Sequence, residues 1–288
     1  MSPPIPLFLD LMFLGVVIGI IYALTGLGLT LVFGVMRIAN FAHGEFYMLG
    51  GYSAYFFITL YGLPPYVAIP LAMATVFLLG LIIERTLLRP MTRLERPAEY
   101  AIFITFTLRL LFVNLAIIIF GPFYRKPPDF ISQGFWLLSG NEVVALVTSI
   151  AMIATVTLLV GRTRIGRNWR AMSEDRRTAR ILGVNVNKMN SLVFGAATAL
   201  AALAGALMGP VYLVGPTVGT DALLRGYVII AIGGMGSIPG TVAGGILLGI
   251  VEGFGSVFIA PAYKTVYGFL LMLIFLIVKP TGLFGWQE

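Results

Sequence analysis

The sequence predicts an all-α, polytopic transmembrane bundle of about eight spans with broken or re-entrant helices, and three observations lead there. Of the 288 residues, 59% are hydrophobic and only 11% charged, where an ordinary soluble domain carries about 25% charged residues. The mean hydropathy is +0.97. The apolar runs are about 20 residues long and nearly continuous, as in helices that cross a bilayer, whereas barrel strands are about 10 residues of alternating polarity. Lipid tolerates apolar side chains facing outward provided that every backbone group is paired inside a helix or a closed barrel.

A window of about 20 residues places spans at 11–35, 43–61, 64–84, 99–120, 142–161, 191–213, 227–257 and 263–279. The seventh is too long for one crossing. It contains Gly233, Gly234, Gly236, Pro239 and Gly240, so it is expected to open into two half-helices or a re-entrant segment, tolerated at membrane depth only where it is buried or lines a cavity. Residues 1–288 form a single membrane domain. The start of the chain, 1–10, has no basic stretch before its apolar run and is read as the beginning of the first span, not a cleaved signal.

The formal charge is +7 with 19 Lys and Arg, and these bases gather in short loops, a topology signal and not a nucleic-acid footprint. Arg85, Arg89, Arg93 and Arg96 mark one cytoplasmic loop. Arg162, Arg164, Arg167, Arg170, Arg176, Arg177, Arg180 and Lys188 mark another, at 162–190. The connection 121–141, whose only bases are Arg125 and Lys126, then lies outside, and counting back puts the N-terminus outside as well. With no Cys and one His, no metal centre or bound cofactor is expected, and no catalytic residues are assigned.

A transport protein must draw on an energy source. No Gly-x-x-x-x-Gly-Lys-Ser/Thr phosphate loop occurs, and the run at 233–240 lacks the preceding strand and the final spacing of a dinucleotide turn. In the segment 170–183, Ala171, Asp175, Ala179 and Gly183 recur every four residues, which on one continuous short helix stacks small side chains and a carboxylate on a slowly drifting face. Spacing alone leaves two readings: a solvated surface helix that fixes topology, or a docking helix for a cytoplasmic partner. Polar groups near membrane depth are Asn40, His43, Glu45, Arg109, Asn114 and Glu252; such groups are costly in lipid and face a bundle interior or a wet path. His43 and Glu45 are read as residues at the start of a helix, beside opened backbone at Gly44, where the dipole favours the Glu45 charge. Glu252, flanked by Gly249, Gly253 and Gly255, reads equally as a structural hydrogen bonder or a pathway group. The opened segments assign Asn40, His43, Gly44, Glu45, Gly234, Gly236 and Ser237 to a substrate pathway.

The run 36–50, Met-Arg-Ile-Ala-Asn-Phe-Ala-His-Gly-Glu-Phe-Tyr-Met-Leu-Gly, resembles the signature of branched-chain amino-acid ABC transporter permeases of the LivH type. Segments 170–183, with the pair Glu174 and Asp175, 233–240 and 279–285 agree with it, and the similarity runs from about residue 15 to 285. The resemblance implies a multi-pass permease in a bacterial or archaeal cytoplasmic membrane. Its implied partners are a second related permease, two cytoplasmic ATPase subunits that hold ATP and Mg, and a periplasmic or lipid-anchored binding protein. It also implies that Ala171, Glu174, Asp175, Ala179 and Gly183 belong to the coupling helix seated on an ATPase. Permeases for urea, short amides and other amino acids are similar to the same family. A stand-alone secondary transporter and a membrane enzyme are the alternatives from other classes.

Overall fold

The computed structural model describes residues 5–92, 94–131 and 133–285; Arg93, one base of the first loop expected to be cytoplasmic, lies outside the described residues. Twelve α-helices follow in order: α1 (Ile5–Met36), α2 (His43–Thr59), α3 (Pro65–Ile83), α4 (Arg89–Met91), α5 (Pro97–Phe120), α6 (Gly140–Arg162), α7 (Arg164–Glu174), α8 (Arg176–Ile181), α9 (Val186–Tyr212), α10 (Val218–Gly233), α11 (Ile238–Phe258) and α12 (Lys264–Val278). A π-helical turn at Glu84–Leu88 carries α3 into α4. Among the described residues, seven helical segments are long and apolar enough to cross a bilayer. Of the eight expected spans, the second is α2, which at 17 residues is shorter than a full crossing, and the seventh divides into the 16-residue α10 and the full-length α11.

α9 is the axis of the bundle. In its most apolar window 83% of residues are buried, against 17% in α5 and α6 and 11% in α12, which therefore present their apolar sides to lipid. α9 packs against α1, α2, α3 and α6, and what lets it do so is its run of Ala and Gly. A Cβ placed on Gly205 would lie 1.9 Å from the Tyr47 carbonyl oxygen, and one on Gly50 2.2 Å from Ala202 Cα, so α2 and α9 touch backbone to backbone. The same device joins α1 and α11 antiparallel: a Cβ on Gly15 would meet Ile250 Cα at 2.7 Å and one on Gly249 the Gly15 carbonyl at 2.3 Å. Lipid provides no hydrophobic drive between helices, so close van der Waals contact through small residues is what holds such pairs.

Two breaks differ from expectation. The seventh predicted span does divide, but at a tight turn, with Gly234 at φ +100° and Gly236 at φ +88°. That turn lies beside Gly34, near the end of α1, and not at mid-membrane depth. α10 begins at Val218 instead of 227 because its first two turns carry Asp221 and Arg225, which an apolar window cuts away. The segment 170–183 is not one helix. Asp175 has extended backbone (φ −146°, ψ 111°) and caps α8 through Arg177 N and Thr178 Oγ1, so the four-residue face of Ala171, Asp175, Ala179 and Gly183 is interrupted at its second member.

Contacts fix which ends share a face. The Arg37 guanidinium donates to the Ser173 carbonyl at 3.1 Å, and Arg176 donates to the Met36 carbonyl at 3.3 Å. α1 therefore ends at the Arg-rich 162–190 side, and its start lies at the opposite one. There, Arg125 and Val214 exchange backbone hydrogen bonds of 2.8 Å, tying the base-poor connection after α5 to the link between α9 and α10.

Candidate functional site

The chain leaves the end of α1 through Arg37, whose φ of 53° turns the backbone sharply, and returns into the bundle without helical structure. His43 Nε2 lies 3.1 Å from the Thr25 carbonyl. Thr25 stands 11 residues before the end of α1, about 16 Å up the bundle at 1.5 Å per residue, so α2 starts at depth. Asn40 steadies that start by accepting Ala42 N–H at 3.1 Å, and Thr105 on α5 accepts Phe41 N–H at 3.1 Å. His43 and Glu45 are fully buried and Asn40 is 1% exposed.

Gly44 brings a second helix start to the same place. A Cβ on Gly44 would be 1.9 Å from the Gly219 carbonyl oxygen, and one on Gly219 would meet both the Gly44 carbonyl and, at 2.8 Å, Glu45 Oε2. The N-terminal ends of α2 and α10 thus converge on the Glu45 carboxylate, where their partial positive charges favour it. Arg109 approaches from α5, with Nε 3.6 Å from Glu45 Oε1 and Nη2 donating to Thr220 Oγ1 at 3.0 Å. Among the described residues, neither Glu45 oxygen finds a hydrogen-bond donor, and Asn40 Nδ2 and His43 Nδ1 make no hydrogen bond. Buried polar atoms are nearly always paired in folded proteins, by protein or by ordered water, so these atoms are the ones here able to take a partner from outside the chain.

Above this cluster, Thr25 and Tyr47 form the floor of a cavity of about 300 Å³ that opens toward the Arg125 and Val214 side. Its walls include Asp221 and Arg225, one turn apart on α10, and Lys264 at the start of α12. Behind them Glu252 is 1% exposed. It accepts from Tyr22 Oη at 3.1 Å and from Arg225 Nε at 3.1 Å, with Lys264 Nζ at 3.5 Å. Of the two readings of Glu252, its contacts are those of a charge that holds two cations in place.

The pathway residues named from sequence divide into two groups. Asn40, His43, Gly44 and Glu45 come together at depth, joined by Arg109. Gly234, Gly236 and Ser237 do not reach them. Ser237 caps α11 by accepting Gly240 N–H at 3.1 Å, and the terminal segment covers the turn, with Leu283 N–H and Phe284 N–H donating to Ile232 and Gly233 carbonyls at 2.8 and 3.0 Å. Asp221, Arg225 and Lys264 were missed. The pattern of an acid and a base four apart at the edge of an apolar run was the available signal for the first two.

At the Arg-rich 162–190 end, Ala171 is half-buried, Ala179 is buried, and Glu174, Asp175 and Gly183 are exposed. The bonds from Thr178 and Arg177 N–H hold the Asp175 carboxyl below its usual range. At the other end of α8, Ile181 and Leu182 are 78% and 74% exposed, two large apolar side chains on a strongly charged surface.

A multi-pass helical bundle with helix starts meeting at depth, a polar cavity on one side and a charged elbow on the other defines a membrane permease. The chain belongs to the family described as the branched-chain amino acid transport system permease component, whose model matches residues 11–278. It is 33% identical to the high-affinity branched-chain amino acid transport system permease protein BraD of Pseudomonas aeruginosa, over 99% of this chain and 98% of that one. It is 32% identical to LivH of Salmonella typhimurium, over 100% and 99%. Among solved structures, a chain of PsaBC from Streptococcus pneumoniae in complex with Fab aligns with a TM-score of 0.54 at 13% identity, covering 94% of this chain and 91% of that one. This last likeness concerns the fold alone.

Proposed function

We propose that this chain is the membrane-spanning permease subunit of an ATP-binding-cassette importer in a bacterial or archaeal cytoplasmic membrane, carrying branched-chain amino acids inward. ATP is hydrolysed, with Mg, by two separate cytoplasmic subunits. A second related permease completes the pore, and a periplasmic or lipid-anchored protein delivers the cargo. The chain performs no covalent chemistry on what it carries. Family membership over nearly its full length supports the class, and the observation that carries the mechanism is the α7–α8 elbow braced against the end of α1.

The elbow is a lever by its contacts. Arg37 and Arg176 bond across to the Ser173 and Met36 carbonyls, and Met36 is joined by only the six residues 37–42 to the start of α2. A displacement of α7 and α8 by a closing ATPase pair is transmitted through α1 and that short strap to Glu45 and the opposing start of α10. The exposed Ile181 and Leu182 are the apolar contact for the ATPase, on an elbow that also exposes Glu174, Asp175 and Arg177.

The test is Ile181→Glu together with Leu182→Glu in the assembled importer. Both side chains are exposed, so the permease keeps its size-exclusion profile while the ATPase subunits no longer co-purify and cargo-stimulated ATP hydrolysis is lost. Retention of both would refute the docking assignment.

A further inference from the structure

The outward-opening cavity joins two chemistries that are seldom placed together in a membrane bundle. Asp221 lies in the first turn of α10 and Arg225 four residues on, on the same face. Such a pair ordinarily closes into an ion bridge. Here Arg225 turns its Nε to Glu252 at 3.1 Å, and its guanidinium rests 5.1 Å from the Tyr22 ring centroid. Lys264, 3.5 Å from the other Glu252 oxygen, lies over the Tyr212 ring. The two cations are thus anchored from behind, while Asp221 forms no ion pair or side-chain hydrogen bond among the described residues. Asp221 and Glu252 against Arg225 and Lys264 sum to no net charge. The rest of the lining joins the aliphatic Ile21, Met208, Leu213, Val218 and Ala222 to Thr25 and four tyrosines, Tyr22, Tyr47, Tyr124 and Tyr212.

A neutral set of opposite charges, in one cavity with an aliphatic group of side chains and the rings of several tyrosines, fits a small molecule that carries both charges at one end and a hydrocarbon at the other. At about 300 Å³ the cavity sits at the small end of ligand sites. We infer that this cavity is a binding station for a zwitterionic aliphatic amino acid. Its α-carboxylate lies against Arg225 and Lys264, its ammonium against Asp221, and its branched side chain against Ile21, Met208, Val218 and Ala222. The inference rests on the reading of the chain as a branched-chain amino acid permease, and adds that the permease itself recognises both ends of the cargo. From the floor at Thr25 and Tyr47, the next polar groups inward are His43, bonded to the Thr25 carbonyl, and Glu45.

The chain contains no cysteine, so a single reporter thiol is unambiguous. Val218→Cys places one on the cavity wall and Gln133→Cys a control on the exposed outer loop. Both are made in the full chain co-expressed with its cognate importer subunits in right-side-out vesicles, and their alkylation is timed with leucine, 4-methylpentanoate (no ammonium) or 3-methylbutylamine (no carboxylate). Leucine is expected to slow labelling of Val218→Cys and leave Gln133→Cys unchanged. Each analogue needs roughly tenfold more concentration or greater for the same protection, since a charged hydrogen bond is lost. Asp221→Asn, added to the reporter, removes the preference for leucine over 4-methylpentanoate, and Arg225→Gln removes the preference over 3-methylbutylamine. If Arg225→Gln does not fold once Glu252 loses its partner, Asp221→Asn carries the test alone. Wild-type vesicles that take up no leucine would overturn the cargo assignment. Vesicles that take up leucine while Val218→Cys labels equally fast with and without it, or while Asp221→Asn keeps the full preference, would overturn the cavity assignment only.

Discussion

At the scale of single residues, the pair Glu45 and Arg109 is unequal, and the inequality makes a prediction. Glu45 is fully buried, whereas the Arg109 side chain keeps 24% exposure and a second partner in Thr220. At 3.6 Å the pair makes no hydrogen bond, so Glu45 depends on the field of Arg109 and on the two helix starts. Removing one partner of a buried pair is costly chiefly through the charge left behind. Arg109→Gln is therefore expected to destabilise the chain by about 3 kcal/mol or more, and Glu45→Gln by clearly less. Thermal unfolding of both variants in detergent, followed by size exclusion, measures the order; equal losses would show that Glu45 is compensated by something other than Arg109. Each residue was visible in the sequence as an ionisable group at membrane depth. Their pairing was not, because 64 residues separate them and nothing in the local pattern says which helix stands next to α2.

At the scale of helices, glycine decides what can approach what. Gly205 faces the Tyr47 carbonyl, where an added methyl group would sit at 1.9 Å, and the obstacle is backbone, which cannot swing aside. Gly161, near the end of α6, has nothing within 4 Å of the same position. The two make a controlled comparison. Gly205→Ala is expected to cost about 1–3 kcal/mol through overpacking, whereas Gly161→Ala gains about 0.5–1 kcal/mol from the lower conformational freedom of the unfolded chain. The yield of monodisperse protein and its melting temperature report both, and a neutral Gly205→Ala would mean that α2 and α9 are not in backbone contact. That these helices would be rich in small residues was legible from composition, but not which glycines meet which neighbours. Helix breaks were harder still. Repeats of small residues gave 170–183 the look of one helix, and only the choice of Asp175 to bond Arg177 N–H and Thr178 splits it, a capping alternative open to any Asp inside a short polar helix.

For the whole molecule, charge asymmetry and helix parity give an expected orientation, and packing shows which helix ends share a face. The sequence argument counted Arg-rich loops as cytoplasmic, and four crossings back from the base-poor connection put the start of the chain outside. The structure joins the end of α1 to the Arg-rich elbow by Arg37 and Arg176 and places the 234–237 turn beside Gly34 at that same end. Both α2 and α10 then start at depth and run to opposite faces; the apolar windows took α2 for a full span and merged α10 with α11, giving about eight spans where, among the described residues, seven full-length ones stand. An apolar window registers complete crossings, and the half-depth starts that build the site are the parts it blurs. Because the chain has no native thiol, single cysteines test the orientation directly. Tyr61→Cys and Gln133→Cys should react with a membrane-impermeant maleimide in intact cells. Glu174→Cys and Met235→Cys should react only after permeabilisation, all four positions being exposed. Labelling of Met235→Cys from outside would place the glycine turn on the face of the cavity instead of opposite to it. The lever from the elbow through α1 to Glu45 would then have to run the other way.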